Sequence, residues 1–405
     1  MRPGPISFAR PLDAVRKTHP PNAMGKLAKA VNIADLRILA KARLPRMVFD
    51  YIDGGADDEV TLKRSVERFR DYLLSFDALV DIAKIDTSRA VMGAPMRLPF
   101  FISPTAASRL FHISGEPAVA RAAHKAGIVY SISTLGSTSI EDIAPITPVP
   151  KLFQIYVWKD RGLVKEVVQR VRAAGFHGNV LTVDVPVAGN RERDPKNGFT
   201  LPPKITPQTV SQVLARPAWA LDLLRQPKIK PANFAHLPEP PGGIIGFINS
   251  QFDRSVTWKD AAWLREEWGG PFAVKGVITP QDAQRCVEIG ADAVWVSNHG
   301  GRQLDACPTT IDALSPIVHA VAGRAEVILD GGVRRGSDVV KALALGAQAV
   351  ALGRAYLWGL AAGGEAGVSR ALAILEEELV RTMALIGADR VEAITSRFIQ
   401  TPDKL

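Results

Sequence analysis

The sequence predicts an α/β protein built on a single closed (β/α)8 barrel. From Pro99 onward about eight short β-branched or aromatic runs alternate with helical patterns, the order expected of parallel strands joined by crossover helices. Polar and charged residues also crowd at the C-terminal end of nearly every run, where barrel enzymes place their active sites. The length agrees, since 405 residues hold one barrel of roughly 250 residues with extensions.

Taken in chain order, residues 1–30 read as a basic tail with no apolar segment, which predicts neither export nor a spanning anchor. Residues 31–90 read as a helical lead-in, with LPRMVFDYIDGGADDE closing a helix at a glycine pair. The strands are expected at 99–106, 129–133, 151–157, 179–186, 271–277, 293–298, 326–331 and 349–354. Between them, 162–175 and 335–346 space apolar residues three and four apart and end at a glycine suited to a left-handed cap. The catalytic unit is expected to span 31–398.

Residues 198–250, between the fourth and fifth strands, are too long and too rich in proline for a plain loop. Within 198–237, Lys204, Arg216, Arg225, Lys228 and Lys230 face one acid, Asp222, beside Trp219, Leu221, Leu223 and Leu224. A basic stretch carrying tryptophan and leucine suits a membrane interface, while a solvated basic lid is the plainer reading.

Composition narrows the function. Net charge is +9, but lysine and arginine are spread over the chain without an aromatic-interleaved stripe, so no nucleic-acid partner is expected. Only Cys286 and Cys307 are present, without metal-ligand or haem-attachment spacing, so no metal is expected and a reducing cytoplasmic setting is the default. No run approaches the 18 or so apolar residues of a spanning helix.

The strand ends then supply a catalytic inventory. They carry Pro104-Thr105-Ala106, Ser133, Gln154 with Tyr156, Thr182 with Asp184 and nearby Arg191, Lys275, Ser297 to Gln303, Asp330 to Arg334, and Gly353-Arg354. Glycine and arginine after strands seven and eight suit a phosphate, because glycine lets backbone N–H groups come close and arginine adds positive potential. His299 stands between Asn298 and a glycine pair, with Arg302 three residues on, which favours a working group over a packed strand histidine. Cys307 lacks a glycine-rich nucleophile loop and reads as structural.

At SNHGGRQLD the chain resembles the FMN-dependent 2-hydroxy-acid oxidases and dehydrogenases. The resemblance runs from NIADL near residue 32 through LPRMVFDYIDGGADD, SPTA, FQIYVWKDR, LTVDVP, GNRERD, VKGV, LDGGVRRGSDVVKALALGA and LGRAYLWGLAAGGEAGV to about residue 398. It implies FMN as cofactor and a catalytic set of His299 as base, Asp184 as its carboxylate partner, Arg191 and Arg302 for the substrate carboxylate, and Tyr51 and Tyr156 for carboxylate and hydroxyl. It also implies that Pro104, Thr105, Ala106, Ser133, Gln154 and Thr182 meet the flavin ring, with Lys275 and Ser297 at its pyrimidine side. Asp330, Gly332, Arg334, Gly353 and Arg354 would hold ribityl and phosphate.

Where plant-type glycolate oxidases place a tryptophan, this chain has Leu135, which implies a substrate larger than glycolate, with L-lactate oxidised to pyruvate as first expectation. The insertion looks most like that of bacterial membrane-associated L-lactate dehydrogenases. That implies a quinone-type acceptor, peripheral contact with the inner face of the cell membrane and a homotetramer; no fused cytochrome domain is expected. The alternatives are an oxygen-using oxidase, a mandelate-type dehydrogenase and a non-redox FMN or phosphosugar barrel.

Overall fold

The computed structural model describes residues 21–199, 206–237, 246 and 249–400. Eight parallel strands close into a barrel in sequence order: β1 (Phe100–Ile102), β2 (Tyr130–Ser133), β3 (Lys151–Ile155), β4 (Gly178–Thr182), β5 (Phe272–Val277), β6 (Ala293–Val296), β7 (Glu326–Asp330) and β8 (Ala349–Leu352), with β8 pairing back to β1. All eight stand where the sequence predicts them, but most end earlier. The chain leaves the cylinder at Ser103-Pro104 and after Thr182, because a proline cannot donate to a ladder and the mouth needs loops. The strands are buried almost throughout, as expected of a sheet with side chains packed inside and helices outside.

The lead-in departs from expectation. Helices Ile33–Arg43, Arg46–Asp53 and Val60–Glu67 form, followed by a 3-10 turn Arg68–Asp71, but helix stops there. Residues 73–74 instead pair antiparallel with 399–400, and Arg89–Val91 forms a hairpin with Ala94–Met96. The hairpin turn covers the N-terminal ends of the strands. Met92 N–H donates to Glu326 at the start of β7 (2.7 Å), and His177 beside β4 bonds the Met92 carbonyl (2.7 Å).

The described parts of the insertion form helices Pro207–Leu214 and Pro217–Leu224 and a 3-10 turn Ala232–Phe234. They are fastened to the body. Asp222 pairs with Arg43, and the Asn233 side chain bonds Ile140 N–H and the Thr134 carbonyl (2.9 Å each). Trp219, expected at an interface, is only 4% exposed, and its indole N–H donates to the Leu110 carbonyl at 2.8 Å. The apolar groups left facing solvent are Val210, Leu214 (73% exposed), Leu221 and Leu224 (82%). Lys204 lies outside the described residues.

Candidate active site

The ladder register sets the floor of the barrel mouth. Ser133 pairs with Gln154 across β2 and β3, and Thr182 with Lys275 across β4 and β5, so these polar groups stand at matching heights around the rim. Every predicted site residue except Asp184 and Ser297 lines one cavity of about 270 Å³. Those two lie just behind it, bonded to His299 and Lys275.

His299 sits after β6 with φ +54°, and Gly300 and Gly301 continue at +65° and +71°. Positive φ is uncommon outside glycine and costs about 1–3 kcal/mol, so the surroundings must fix this turn. They do so through Ser297 Oγ, which accepts the His299 N–H at 3.1 Å, and through Asp184 Oδ1, 2.8 Å from His299 Nδ1. A carboxylate only accepts, so Nδ1 carries the hydrogen and Nε2 is left as the basic nitrogen. Burial alone would raise the Asp184 pKa, but the charge and hydrogen bond of His299 and the charge of Lys275 outweigh it and hold the carboxyl below its usual range.

Asp184 fits only because of a residue that the sequence reading passed over. The β5–β6 register shifts between Lys275 and Val277, and Gly276 there has φ +103°, the mark of a bulge. A Cβ at Gly276 would lie 2.7 Å from Asp184 Cγ. An isolated glycine inside a strand is itself a signal of a bulge or a close approach, and VKGV shows it.

Arg302 and Arg191 flank the Tyr51 ring, with guanidinium carbons 5.0 and 5.3 Å from its centroid. Arg302 donates to the carbonyls of Tyr51 (2.5 Å) and Gly54 (3.3 Å), which fixes its fork. Burial first, and then repulsion by Arg191, push the Arg302 pKa down to about 10. Two cations held this close favour an anion between them. Tyr156 stands opposite on β3's continuation, where burial and the Asp184 charge push its phenol up, so it stays protonated as a donor.

The rest of the cavity is polar at its base. Lys275 Nζ lies 2.8 Å from Ser297 Oγ and 3.0 Å from Asp330 Oδ2; that carboxylate oxygen also accepts from Trp295 Nε1 (3.1 Å) and Ser103 Oγ (3.3 Å). Asp330 therefore anchors Lys275. Gln154 Nε2 and Thr182 Oγ1 are buried without a partner among the described residues. Unpaired buried groups of this kind cost about 1–3 kcal/mol each, so a ligand with polar edges fits here. Thr105 Oγ1 is held by the Tyr356 hydroxyl, and Pro104 and Ala106 flank it on the cavity wall.

At the far end, Gly332 has φ +81° and a Cβ there would meet the Ser65 carbonyl at 1.9 Å, so no other residue fits. Gly353, just before the helical segment Arg354–Ile386, which is broken at Gly363 and Gly364, has open space beside it, and a helix N-terminus with room in front suits an anion. Arg334 stacks over Trp358 at 4.8 Å, and burial pushes its pKa down to about 10. Arg354 lines the cavity as expected and is also tied to the backbone around it. Its guanidinium donates to the carbonyls of Ile52 (2.9 Å), Gly300 (2.8 Å) and Gly54 (2.8 Å), clasping the lead-in helix to the His299 turn.

Leu135 lines the same cavity, joined by Phe111, Val185, Ala188, Asn249 and Phe252, which the sequence reading did not select. Cys307 donates its backbone N–H to Thr61 Oγ1 (3.0 Å) outside the cavity, and burial raises its thiol pKa, in keeping with a structural role.

A family model described as FMN-dependent dehydrogenase matches residues 40–401. A Mycobacterium tuberculosis protein named only provisionally as an L-lactate dehydrogenase is 44% identical over 375 residues, covering 92% of this chain and 90% of that protein. An L-lactate oxidase from a Nostoc species is 42% identical over 380 residues, covering 93% and 100%. Among solved structures, one described as the monotopic membrane protein (S)-mandelate dehydrogenase superposes with a TM-score of 0.89 at 38% identity, covering 92% of this chain and all of that one.

Proposed function

The chain belongs to the FMN-dependent dehydrogenase family, and from that premise we propose that it oxidises an L-2-hydroxy acid of lactate size or larger, with His299 as base and a membrane quinone as electron acceptor. The observation that carries this reading is the meeting, in one cavity, of a histidine backed by a carboxylate, two arginines astride a tyrosine, and unpaired polar groups beside a buried lysine.

The donor set fits FMN. Gln154, Thr182, Ser133 and the Pro104–Ala106 backbone would face the ring, Lys275 its electron-poor pyrimidine side, and Gly332, Arg334 and Gly353 the phosphate end. When bound, FMN supplies the two-electron acceptor that amino-acid side chains lack. In this reading Arg191 and Arg302 grip the substrate carboxylate, and the protonated Tyr156 phenol donates to the C2 oxygen. In the same reading His299 Nε2 takes the proton that leaves C2 or its hydroxyl, and Asp184 stabilises the imidazolium so formed. Lys275, held by Ser297 and Asp330, would supply positive potential beside the bound cofactor.

Leu135 and Ala188 keep the substrate side of the cavity open, which supports lactate over glycolate and leaves larger acids in reach. Peripheral membrane contact is supported by Leu214, Leu221 and Leu224 standing exposed among Arg216, Arg225, Lys228 and Lys230, and by the likeness to a monotopic membrane protein. No helix among the described residues is long and apolar enough to cross a membrane. Residues 31–398 act in this proposal as one catalytic unit, a homotetramer in solution, with 1–30 as a tail and 198–250 as the membrane-facing insertion.

The 42% identity to an oxidase favours a second reading, with oxygen as acceptor. Anaerobic L-lactate should bleach the yellow protein, and a quinone should restore the colour faster than air does. No bleaching by any 2-hydroxy acid would sink the proposal; reoxidation by air within milliseconds would select the oxidase.

A further inference from the structure

A second cavity of about 280 Å³ lies beside the first, between the ends of β4 and β5 and the helix Trp258–Trp268. The two share Tyr156, Thr182, Val185 and Phe252 as lining. They meet at a pair of rings, Tyr156 and Phe252, packed edge to face with centroids 5.3 Å apart. Beyond that pair the wall is largely apolar, formed by Leu181, Val183, Val256, Trp258, Ala261 and Val277. Its carboxylates are already engaged: Asp253 pairs with Arg161 at 2.9 Å, and Asp282 accepts from Thr279 at 3.0 Å. Exposed Arg254 and Thr257 mark the way out to solvent.

We infer that this second cavity receives the apolar tail of the substrate's C2 substituent, so that the preferred substrates are L-2-hydroxy acids with a medium-length alkyl or arylalkyl side chain. The inference rests on the hydroxy-acid chemistry proposed above and extends it. Arg191 and Arg302 fix the carboxylate, and Tyr156 meets the C2 oxygen while also forming part of the partition. A substituent leaving C2 toward Phe252 therefore passes from one chamber into the other. Val185 and Phe252 are both half-buried and line both cavities, so the boundary that such a substituent would cross is largely apolar. Phe252 is held in place by its neighbour Gln251, whose carbonyl and side chain accept the N–H groups of Lys159 (2.9 Å) and Asp160 (3.1 Å). The space is several times the roughly 30 Å³ share of a water molecule, enough for a chain of several methylenes.

The test is anaerobic stopped-flow reduction of the FMN-loaded protein by L-lactate, L-2-hydroxybutanoate, L-2-hydroxyhexanoate and L-2-hydroxyoctanoate. The ratio of reduction rate constant to Kd should rise about fourfold per added methylene until the second cavity is filled. Val256→Trp and Ala261→Leu, which fill that space away from the reacting groups, should cut the advantage of the eight-carbon acid over lactate at least tenfold and leave lactate reduction unchanged. A flat or falling series in the unaltered protein overturns the inference and needs no variant to fold. So do variants that keep the long-chain advantage, or that slow reoxidation by quinone while leaving reduction alone, which would make the cavity an acceptor site. Failure of every acid, lactate included, would instead overturn the hydroxy-acid reading itself.

Discussion

Replacing Asp184 by asparagine keeps the shape of the side chain and removes its charge. Asp184 Oδ1 lies 2.8 Å from His299 Nδ1, which puts the charge centres of carboxylate and imidazolium about 4 Å apart. Opposite charges at that distance attract by about 4 kcal/mol at an effective permittivity of 20. The attraction exists only once His299 has taken the proton, so its loss falls on the rate of reduction and not on substrate binding. The expected result is a reduction rate constant about a thousandfold lower, with the Kd for L-lactate within threefold and FMN occupancy unchanged. Stopped-flow reduction at saturating substrate reads the first two, and the absorbance ratio of flavin to protein reads the third. A loss smaller than tenfold, or one explained by missing flavin, would refute the assignment of Asp184 as the partner of the base. The pH dependence has a definite sign. Because the folded-state pKa is depressed, the stability contributed by this carboxylate is present above its unfolded value near 4 and is lost only as the pH falls through the lower folded value. The difference in thermal stability between the two proteins should therefore shrink as the pH falls below about 4.

Four other substitutions probe separate parts of the cavity. Arg191→Met removes one cation beside Tyr51 and should raise the Kd for L-lactate about 10- to 100-fold in equilibrium titrations, since hydrogen bonds to charged groups contribute about 1.5–3 kcal/mol. Gly276→Ala puts a Cβ 2.7 Å from Asp184 Cγ at φ +103°, so it should lower stability by about 1–3 kcal/mol in urea unfolding and slow reduction at least tenfold. Thr182→Val removes an unpaired buried hydroxyl and should weaken FMN binding about three- to tenfold by fluorescence titration, while the flavin-free protein melts no earlier. Leu135→Trp should move the ratio of kcat/KM for lactate over glycolate down by tenfold or more, because the ring fills the space in which a methyl group would sit.

The barrel was legible because each strand is a local run of β-branched and aromatic residues that a buried parallel sheet requires, and because helix periodicity returns between runs. What was not legible depends on partners far away in the chain. Residues 73–74 pair with 399–400, and periodicity in a short window cannot see a ladder that closes across the whole sequence. Trp219 has the neighbours of an interfacial tryptophan, yet the Leu110 carbonyl, a hundred residues earlier, turns it inward. Arg354 follows a glycine at a strand end, and its acceptors at Ile52, Gly54 and Gly300, which come from two other segments, could not be read from its own neighbourhood. Gly276 is the opposite case: the single glycine in VKGV was a readable signal, and its meaning became clear only with Asp184 beside it.

Those long-range contacts also explain how the barrel acquires a substrate site. Arg302, Arg334 and Arg354 are half-buried along the same cavity. Burial lowers the pKa of each, and for Arg354 the charges of the other two lower it further. Such a cluster needs negative charge. Part of it comes from the lead-in, where Asp53 holds Arg37 (2.6 Å) and also Arg193, which in turn pairs with Glu59. The same helix, Arg46–Asp53, carries Tyr51, and its last carbonyls orient Arg302 and Arg354. Beyond it, Ala56 N–H bonds the Gly301 carbonyl at 2.8 Å, and a Cβ at Gly55 would stand 2.8 Å from that same oxygen. The lead-in is thus a wall of the site: without it, the His299 turn loses a clamp, Arg302 loses its orientation and the arginine cluster loses its nearest carboxylates. The remaining excess of positive charge is what a phosphate at one end of the cavity and a carboxylate at the other would neutralise.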